Sequence, residues 1–274
     1  MVMDDFWEVL NIKGNLDAAE ILFSKIENYC LGSFIEGNLT KIYLSIEFRS
    51  KVINIINNLE LPNNINLTWG KIDNEDWHLM WKENFTPVTI NNKINILPDW
   101  HFKDNINDSN IYIRPGMSFG TGHHETTSLM VESLIDYSNN EFSLLDLGAG
   151  SGILSIVGSK LKYKDIKAIE FDIDCKDDFY FNTDLNGCSK DIEVSWSDVL
   201  DWNDFNYDLI LANIEKNIIK EMINNIKNTS ARFIFSGLLI EDKVEIEALL
   251  IKNNFKIENF KSKNEWLLID CKKI

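Results

Sequence analysis

Cysteine, long apolar runs and positive charge are all scarce in this chain, and each shortage removes a class of protein. The four cysteines in 274 residues are Cys30, Cys175, Cys188 and Cys271. Their spacing is irregular and no Cys-x-x-Cys pair occurs, so neither a disulfide framework nor a zinc site is indicated. Reduced, buried thiols in a cytoplasmic protein are the expectation. No apolar stretch approaches the ~20 residues that span a bilayer, so no membrane association is expected. The opening MVMDDFWEVL lacks a basic segment followed by an apolar run, so no signal peptide is read there. Lysine and arginine number 27 against 43 aspartates and glutamates, a formal net charge of -16. Such a surface repels phosphates, so direct nucleic-acid binding is not expected; a basic partner or a cationic substrate suits it. No metal is expected at His123, His124 and Glu125, because sequence neighbours do not share a helix face and no histidine follows at helical spacing.

What the chain does contain is ordinary for a globular protein, with 45% hydrophobic and 26% charged residues. Residues 1–73 read as a small α+β unit. Strands are expected at Phe6–Ile12, Leu31–Glu36, Leu39–Ile46 and Ile65–Ile72, with Gly37-Asn38 as a turn. Ala18, Ile21, Leu22 and Ile26 space a helix over Asp17–Asn28, and Val52, Ile55, Ile56 and Leu59 another over Lys51–Leu59. That order, βαββαβ, is the ferredoxin-like split motif, and its small core suits a recognition module. Residues 74–115 crowd together Trp77, Trp81, Phe85, Trp100 and Phe102. They read as a connecting segment: a short helix near Glu75–Asn84, then strands at Val88–Ile90, Ile94–Leu97 and Asn110–Arg114. From Phe142 onward strands and helices alternate and end in a hairpin, Phe255–Phe260 with Trp266–Cys271. Alternation of this kind means α/β: a parallel sheet with helices on both faces.

Four stretches carry chemistry. The strand Ser143–Leu147 runs into Gly148-Ala149-Gly150-Ser151-Gly152, where Gly148 permits a tight turn and Gly150 lets a ligand approach the backbone. The spacing is G-x-G-x-G, with Ile153 where the dinucleotide fingerprint G-x-G-x-x-G needs its third glycine, so a cofactor without phosphate fits better. About 20 residues on lies Glu170-Phe171-Asp172-Ile173-Asp174; an acid there can accept from ribose hydroxyls, with Asp172 the candidate and Asp174 and Glu170 the alternatives. Alternatively, Asp172 caps the following helix. The apolar strand before Asn213 delivers one amide to its end, able to orient an amine or to cap a helix. Finally, Pro115–Thr127 places three glycines before a helix start near Thr126, with two hydroxyls, Thr126 and Thr127, able to cap it or bind a carboxylate.

Together the runs PGMSFGTGHHETT, DLGAGSGILSI, FDID and DLILANI resemble the bacterial methyltransferases of large-subunit ribosomal protein eleven. WHLMWKENFTPVTINNKINILPDW and SGLLIEDK are similar to further segments of that family, so the resemblance runs from about residue 74 to the end. It implies a class I methyltransferase, a Rossmann-like seven-stranded sheet over residues 116–274, preceded by the ferredoxin-like domain. It implies S-adenosylmethionine as cofactor, held by Thr127, Gly148, Asp172 and Asn213, with Gly150 added from loop geometry and Asp198 near the adenine. Asn213 is then the catalytic candidate. The implied substrate is a basic ribosomal protein methylated on lysines and its N-terminal amine, by an enzyme expected to be monomeric. Another protein lysine or a small molecule is the alternative substrate.

Overall fold

The computed structural model describes residues 6–14, 22, 25, 26, 29–36, 39–59, 65–73, 87–102, 109–115, 122, 124–227 and 229–274. The chain divides into two compact units, Met1–Phe85 and Thr86–Ile274.

In the first unit, strands β1 (Phe6–Lys13), β2 (Cys30–Glu36), β3 (Leu39–Leu44) and β4 (Asn66–Asp73) form an antiparallel sheet in the order β2-β3-β1-β4. This is the strand order of the expected split βαβ motif. The strand read as Leu39–Ile46 stops at Leu44, because the chain turns into a 3-10 helix at Ile46–Phe48 and then helix α1 (Arg49–Asn57). Leu10, Ile12, Ile42, Leu44 and Val52 build a core that also takes Leu22 and Ile26. Most of the remaining helix read over Asp17–Asn28 lies outside the described residues, as do the Gly37-Asn38 turn, the helix read near Glu75–Asn84, and Trp77, Trp81 and Phe85.

The second unit is built on seven strands: β8 (Ser143–Leu147), β9 (Lys164–Glu170), β10 (Ile192–Trp196), β11 (Leu209–Asn213), β12 (Arg232–Leu239), β13 (Phe255–Lys263) and β14 (Trp266–Lys273). Their order is β10-β9-β8-β11-β12-β14-β13. The first five run parallel, and the terminal hairpin inserts β14 antiparallel against β12. Alternate strand residues feed two cores. Leu144, Leu209, Leu211 and Ile234 pack with helices α2 (Glu125–Tyr137) and α3 (Ile153–Lys160). Leu145, Leu147, Ile210, Ala212 and Phe233 pack on the other face with helices α5 (Lys216–Asn225) and α6 (Lys243–Lys252). Helix α4 (Lys176–Leu185) follows β9.

A smaller sheet joins β5 (Val88–Ile90) and β6 (Ile94–Pro98) antiparallel, and β6 to β7 (Asn110–Ile113) parallel. Its Ile90, Ile94, Ile96, Ile111 and Ile113 belong to the same core as α2 and α3. Two asparagines of the α4 region serve the outer edge of β7 as a neighbouring strand would. Asn186 accepts from the Tyr112 N–H at 2.9 Å and donates to its carbonyl at 2.6 Å, while Asn182 accepts from the Arg114 N–H at 2.7 Å. Asn182 also donates to the Ser151 carbonyl at 2.9 Å, so one side chain ties this sheet to the glycine loop.

Candidate active site

The strand order reverses between β8 and β11, whose connections leave in opposite directions. Ligands of open parallel sheets bind there, beyond the carboxyl ends of the strands. Gly148 follows β8 at that point with φ 77°, and a Cβ on it would stand 2.2 Å from the Ile214 side chain. Both the backbone angle and the space therefore demand glycine. Gly150 also sits at positive φ. The loop is pinned to β9, since the Gly148 and Ala149 N–H groups donate to the Ile169 carbonyl at 2.9 and 3.1 Å.

Of the acids after β9, the structure separates the roles. Glu170 is buried and takes the Gly150 N–H on one oxygen at 2.7 Å and the Asp172 N–H on the other at 2.8 Å. Asp172 is exposed; one oxygen accepts from the Asp174 N–H at 2.9 Å and caps the 3-10 turn Ile173–Cys175. The capping reading thus describes one of its oxygens. Phe171 and Ile173 flank it with 73% and 58% of their surfaces exposed. Asp198, past β10, caps its own turn by accepting from the Leu200 N–H at 2.9 Å.

At the start of α2 the two hydroxyls part company. His124 occupies the N-cap and accepts from the Thr126 N–H at 3.3 Å, and its ring nitrogen also pairs with the Thr126 hydroxyl at 2.7 Å. Burial lowers the His124 pKa, against the pull of Glu125 and Glu265, so the neutral ring that a cap requires is favoured. Thr127 is fully buried and its hydroxyl has no partner among the described residues. The terminal hairpin braces this helix start: Lys263 donates to the Ser128 hydroxyl at 3.0 Å, Asn264 to the Glu125 carboxylate at 2.7 Å, and Trp266 packs edge-on against His124. His123 lies outside the described residues.

Asn213 ends β11. Its neighbour Ala212 pairs with Leu147, which sets Asn213 level with Gly148. It is 9% exposed and its side-chain oxygen has no partner among the described residues. The helix that follows takes Glu215 as N-cap, so Asn213 is not spent on capping. Asp146, on the α3 side of β8, accepts from the Ser155 hydroxyl at 2.7 Å on one oxygen and has no partner on the other. Burial pushes its carboxyl up to about 6. Among the described residues four buried side-chain atoms lack a hydrogen-bond partner, and three belong to Thr127, Asp146 and Asn213.

Sequence reasoning put Thr127, Gly148, Gly150, Asp172 and Asn213 forward, and the structure sets Gly148, Gly150 and Asn213 at the switch point, with Asp172 bridged to Gly150 through Glu170. It did not assign the Glu170 bridge, the unpaired Asp146 oxygen, or Ile214, which packs over Gly148. The acid at the end of β9, where it can reach back to the loop, was the available signal for the first.

Comparison with known proteins agrees with this architecture. Residues 30–274 match the family model described as ribosomal protein L11 methyltransferase (PrmA). The ribosomal protein L11 methyltransferase of an Exiguobacterium strain is 33% identical over 211 residues, 76% of this chain and 68% of that protein. That of Staphylococcus carnosus is 33% identical over 250 residues, covering 89% and 80%. Among solved structures, the ribosomal protein L11 methylase of Lactobacillus delbrueckii subsp. bulgaricus superposes with a TM-score of 0.63 at 27% identity, over 69% of this chain and all of that one. With the seven-stranded sheet and a family match over most of its length, the chain belongs to the ribosomal protein L11 methyltransferase family and is a methyltransferase.

Proposed function

We propose that this methyltransferase uses S-adenosylmethionine to methylate amines of a basic large-subunit ribosomal protein, the protein L11 for which its relatives are named. The observation that carries the reading is the group of unpaired buried atoms on Thr127, Asp146 and Asn213. Each costs about 1–3 kcal/mol when left without a partner. A fold that keeps three such atoms on elements bordering the switch point keeps them for a ligand.

When bound, the cofactor supplies a methyl group on a positively charged sulfur. The remaining oxygen of Asp172 accepts from ribose hydroxyls, and exposed Phe171 and Ile173 offer apolar surface for the adenine. Gly148 and Gly150 admit the cofactor along bare backbone. The Thr127 hydroxyl and the Asn213 amide face its amino-acid portion, and Asn213 also orients the incoming amine. A lysine amine, with a free pKa of ~10.4, must shed a proton before it can attack. Nearly complete burial around Asn213 disfavours the ammonium form and so favours that loss. Alignment is then the enzyme's main contribution. Residues 1–73 serve as the substrate-recognition module, 74–115 connect it, and 116–274 carry the transfer, in the cytoplasm where ribosomes are found.

Incubation with labelled S-adenosylmethionine and ribosomes from a strain lacking the enzyme tests this. Label is expected on ribosomal protein L11. Absence of label on every ribosomal protein would overturn the substrate assignment.

A further inference from the structure

We infer that Asn182 is a positioning residue for the transfer reaction: its buried amide joins the glycine loop to the chain that leads from β7 toward α2, and so fixes the separation of two walls of the cofactor site. The inference rests on Gly148, Gly150 and Thr127 belonging to that site.

Asn182 lies on α4 and has no exposed surface. Its side-chain oxygen accepts from the Arg114 N–H at 2.7 Å, and its nitrogen donates to the Ser151 carbonyl at 2.9 Å. Ser151 stands inside the turn Gly148–Gly152. Arg114 follows β7 and precedes Pro115, where the stretch that ends at Thr127 begins. A planar amide carries its donor and its acceptor on one carbon, so a single rigid group spans both backbones. Aspartate lacks the donor and leucine lacks both.

The surroundings are built around this bridge. Phe179, three residues earlier, fills the space at Gly152, where a Cβ would come within 2.9 Å of its ring. Asn186, at the C-cap of α4, holds both backbone groups of Tyr112 and donates to the Asn182 carbonyl at 2.8 Å. The Arg114 guanidinium lies over the Phe181 ring, 3.2 Å from its centroid, and 3.9 Å from the Asp178 carboxylate. Helix α4 and its cap thus grip residues 112–114 and the glycine loop together, and Asn182 hydrogen-bonds to both. Fully buried, it acts through the two backbones rather than on a ligand. That separation matters because a shift of about 1 Å in a positioning element costs on the order of 100-fold in rate.

Asn182→Asp separates the two bonds: it keeps the acceptor for Arg114 and sets an oxygen against the Ser151 carbonyl. In the ligand-free variant, amide NMR shifts should move both at Gly148 and Gly150 and at Thr127. Shifts confined to α4 would overturn the bridge. Calorimetric titration should show S-adenosylmethionine binding the variant about tenfold more weakly than wild type. The KM for S-adenosylmethionine should change more than kcat, since the bridge shapes the site and not the chemistry. A folded variant with a lower urea midpoint and unchanged affinity would show a merely structural residue and overturn the assignment. Thr127→Val should cost less affinity in the Asn182→Asp background than in wild type, because both act through one geometry; additive losses would also overturn it. Should Asn182→Asp fail to fold, Asn182→Ser adds no charge, is too short to span both backbones, and carries the same expectations. Failure of the wild type to bind S-adenosylmethionine would fall on the cofactor reading, while the shifts at Gly150 and Thr127 would continue to report on Asn182.

Discussion

A buried hydroxyl or amide oxygen without a hydrogen-bond partner costs the fold stability, and among the described residues Thr127 and Asn213 each carry one. Removing such a group relieves the ligand-free protein while it injures the bound state. Thr127→Val keeps the shape and Asn213→Ala deletes the amide. Both should leave the urea midpoint unchanged or raised, by up to about 1 kcal/mol in stability. Asn213→Ala should still lower kcat by about 100-fold through lost alignment. A variant that loses stability and activity together would point to a structural role. Asp146 makes the complementary case by titration. Its carboxyl moves from the ordinary 3.8 to about 6, chiefly because burial disfavours the charge; Ser155 opposes the rise and Glu170 adds to it. Between those values the folded protein holds a proton that the unfolded chain has released. Stability therefore declines as pH rises from about 4 to about 6, by an amount on the order of 3 kcal/mol. Asp146→Asn abolishes that component, so urea midpoints of variant and wild type should converge at acid pH and separate in the variant's favour toward neutrality. Parallel pH profiles would count against it.

Elements are where the sequence was most legible, and their ends where it was least. The β8 run Leu144, Leu145, Asp146, Leu147 sends alternate residues into two cores, and its nearly continuous apolar letters mark a strand buried on both faces. Helix α2 begins at Glu125, one residue before the start expected near Thr126. Turn chemistry was not legible. β12 runs on to Leu239 because a register shift between Phe235 and Leu238 lets the strand bend and continue. Gly237 sits in that bulge with φ 85°, and a Cβ there would lie 2.2 Å from the Ile214 carbonyl oxygen. Nothing in a list of residues shows that two distant glycines, Gly148 and Gly237, close on the same Ile214. Nor does it show that Asn182 and Asn186 replace a strand beside β7. Both are long-range facts. They give a contrast to measure: Gly187 shares a positive φ but has open space around its missing Cβ. Gly187→Ala should cost only the conformational ~1–2 kcal/mol. Gly237→Ala must also displace backbone beside Asn213, so it should cost more and depress kcat. Equal stability losses in urea denaturation would mean that the turn at Ile214 yields freely.

For the molecule as a whole the dominant quantity is its net charge of -16, and it is shared between the units: residues 1–85 hold 13 acidic against 7 basic residues. The resulting field would attract the basic protein substrate proposed above over distances comparable to the Debye length, about 8–10 Å at physiological salt. At the reacting nitrogen, however, negative potential stabilises the ammonium form, which cannot accept a methyl group. The two demands are compatible if exposed acids act at long range while the amine reaches a buried amide, as Asn213 provides. They also separate kinetically. Raising ionic strength screens encounter but not a group held inside the protein. Turnover of isolated basic substrate protein between low and high salt should therefore show kcat/KM falling steeply, with kcat at saturating substrate nearly constant. The KM for S-adenosylmethionine, a small ligand, should change far less than the KM for the protein. If salt left kcat/KM untouched, the acidic surface would have no part in recruiting the substrate. If salt lowered kcat instead, the acids would be acting at the site of transfer, and the division between an attracting exterior and a deprotonating interior would be wrong.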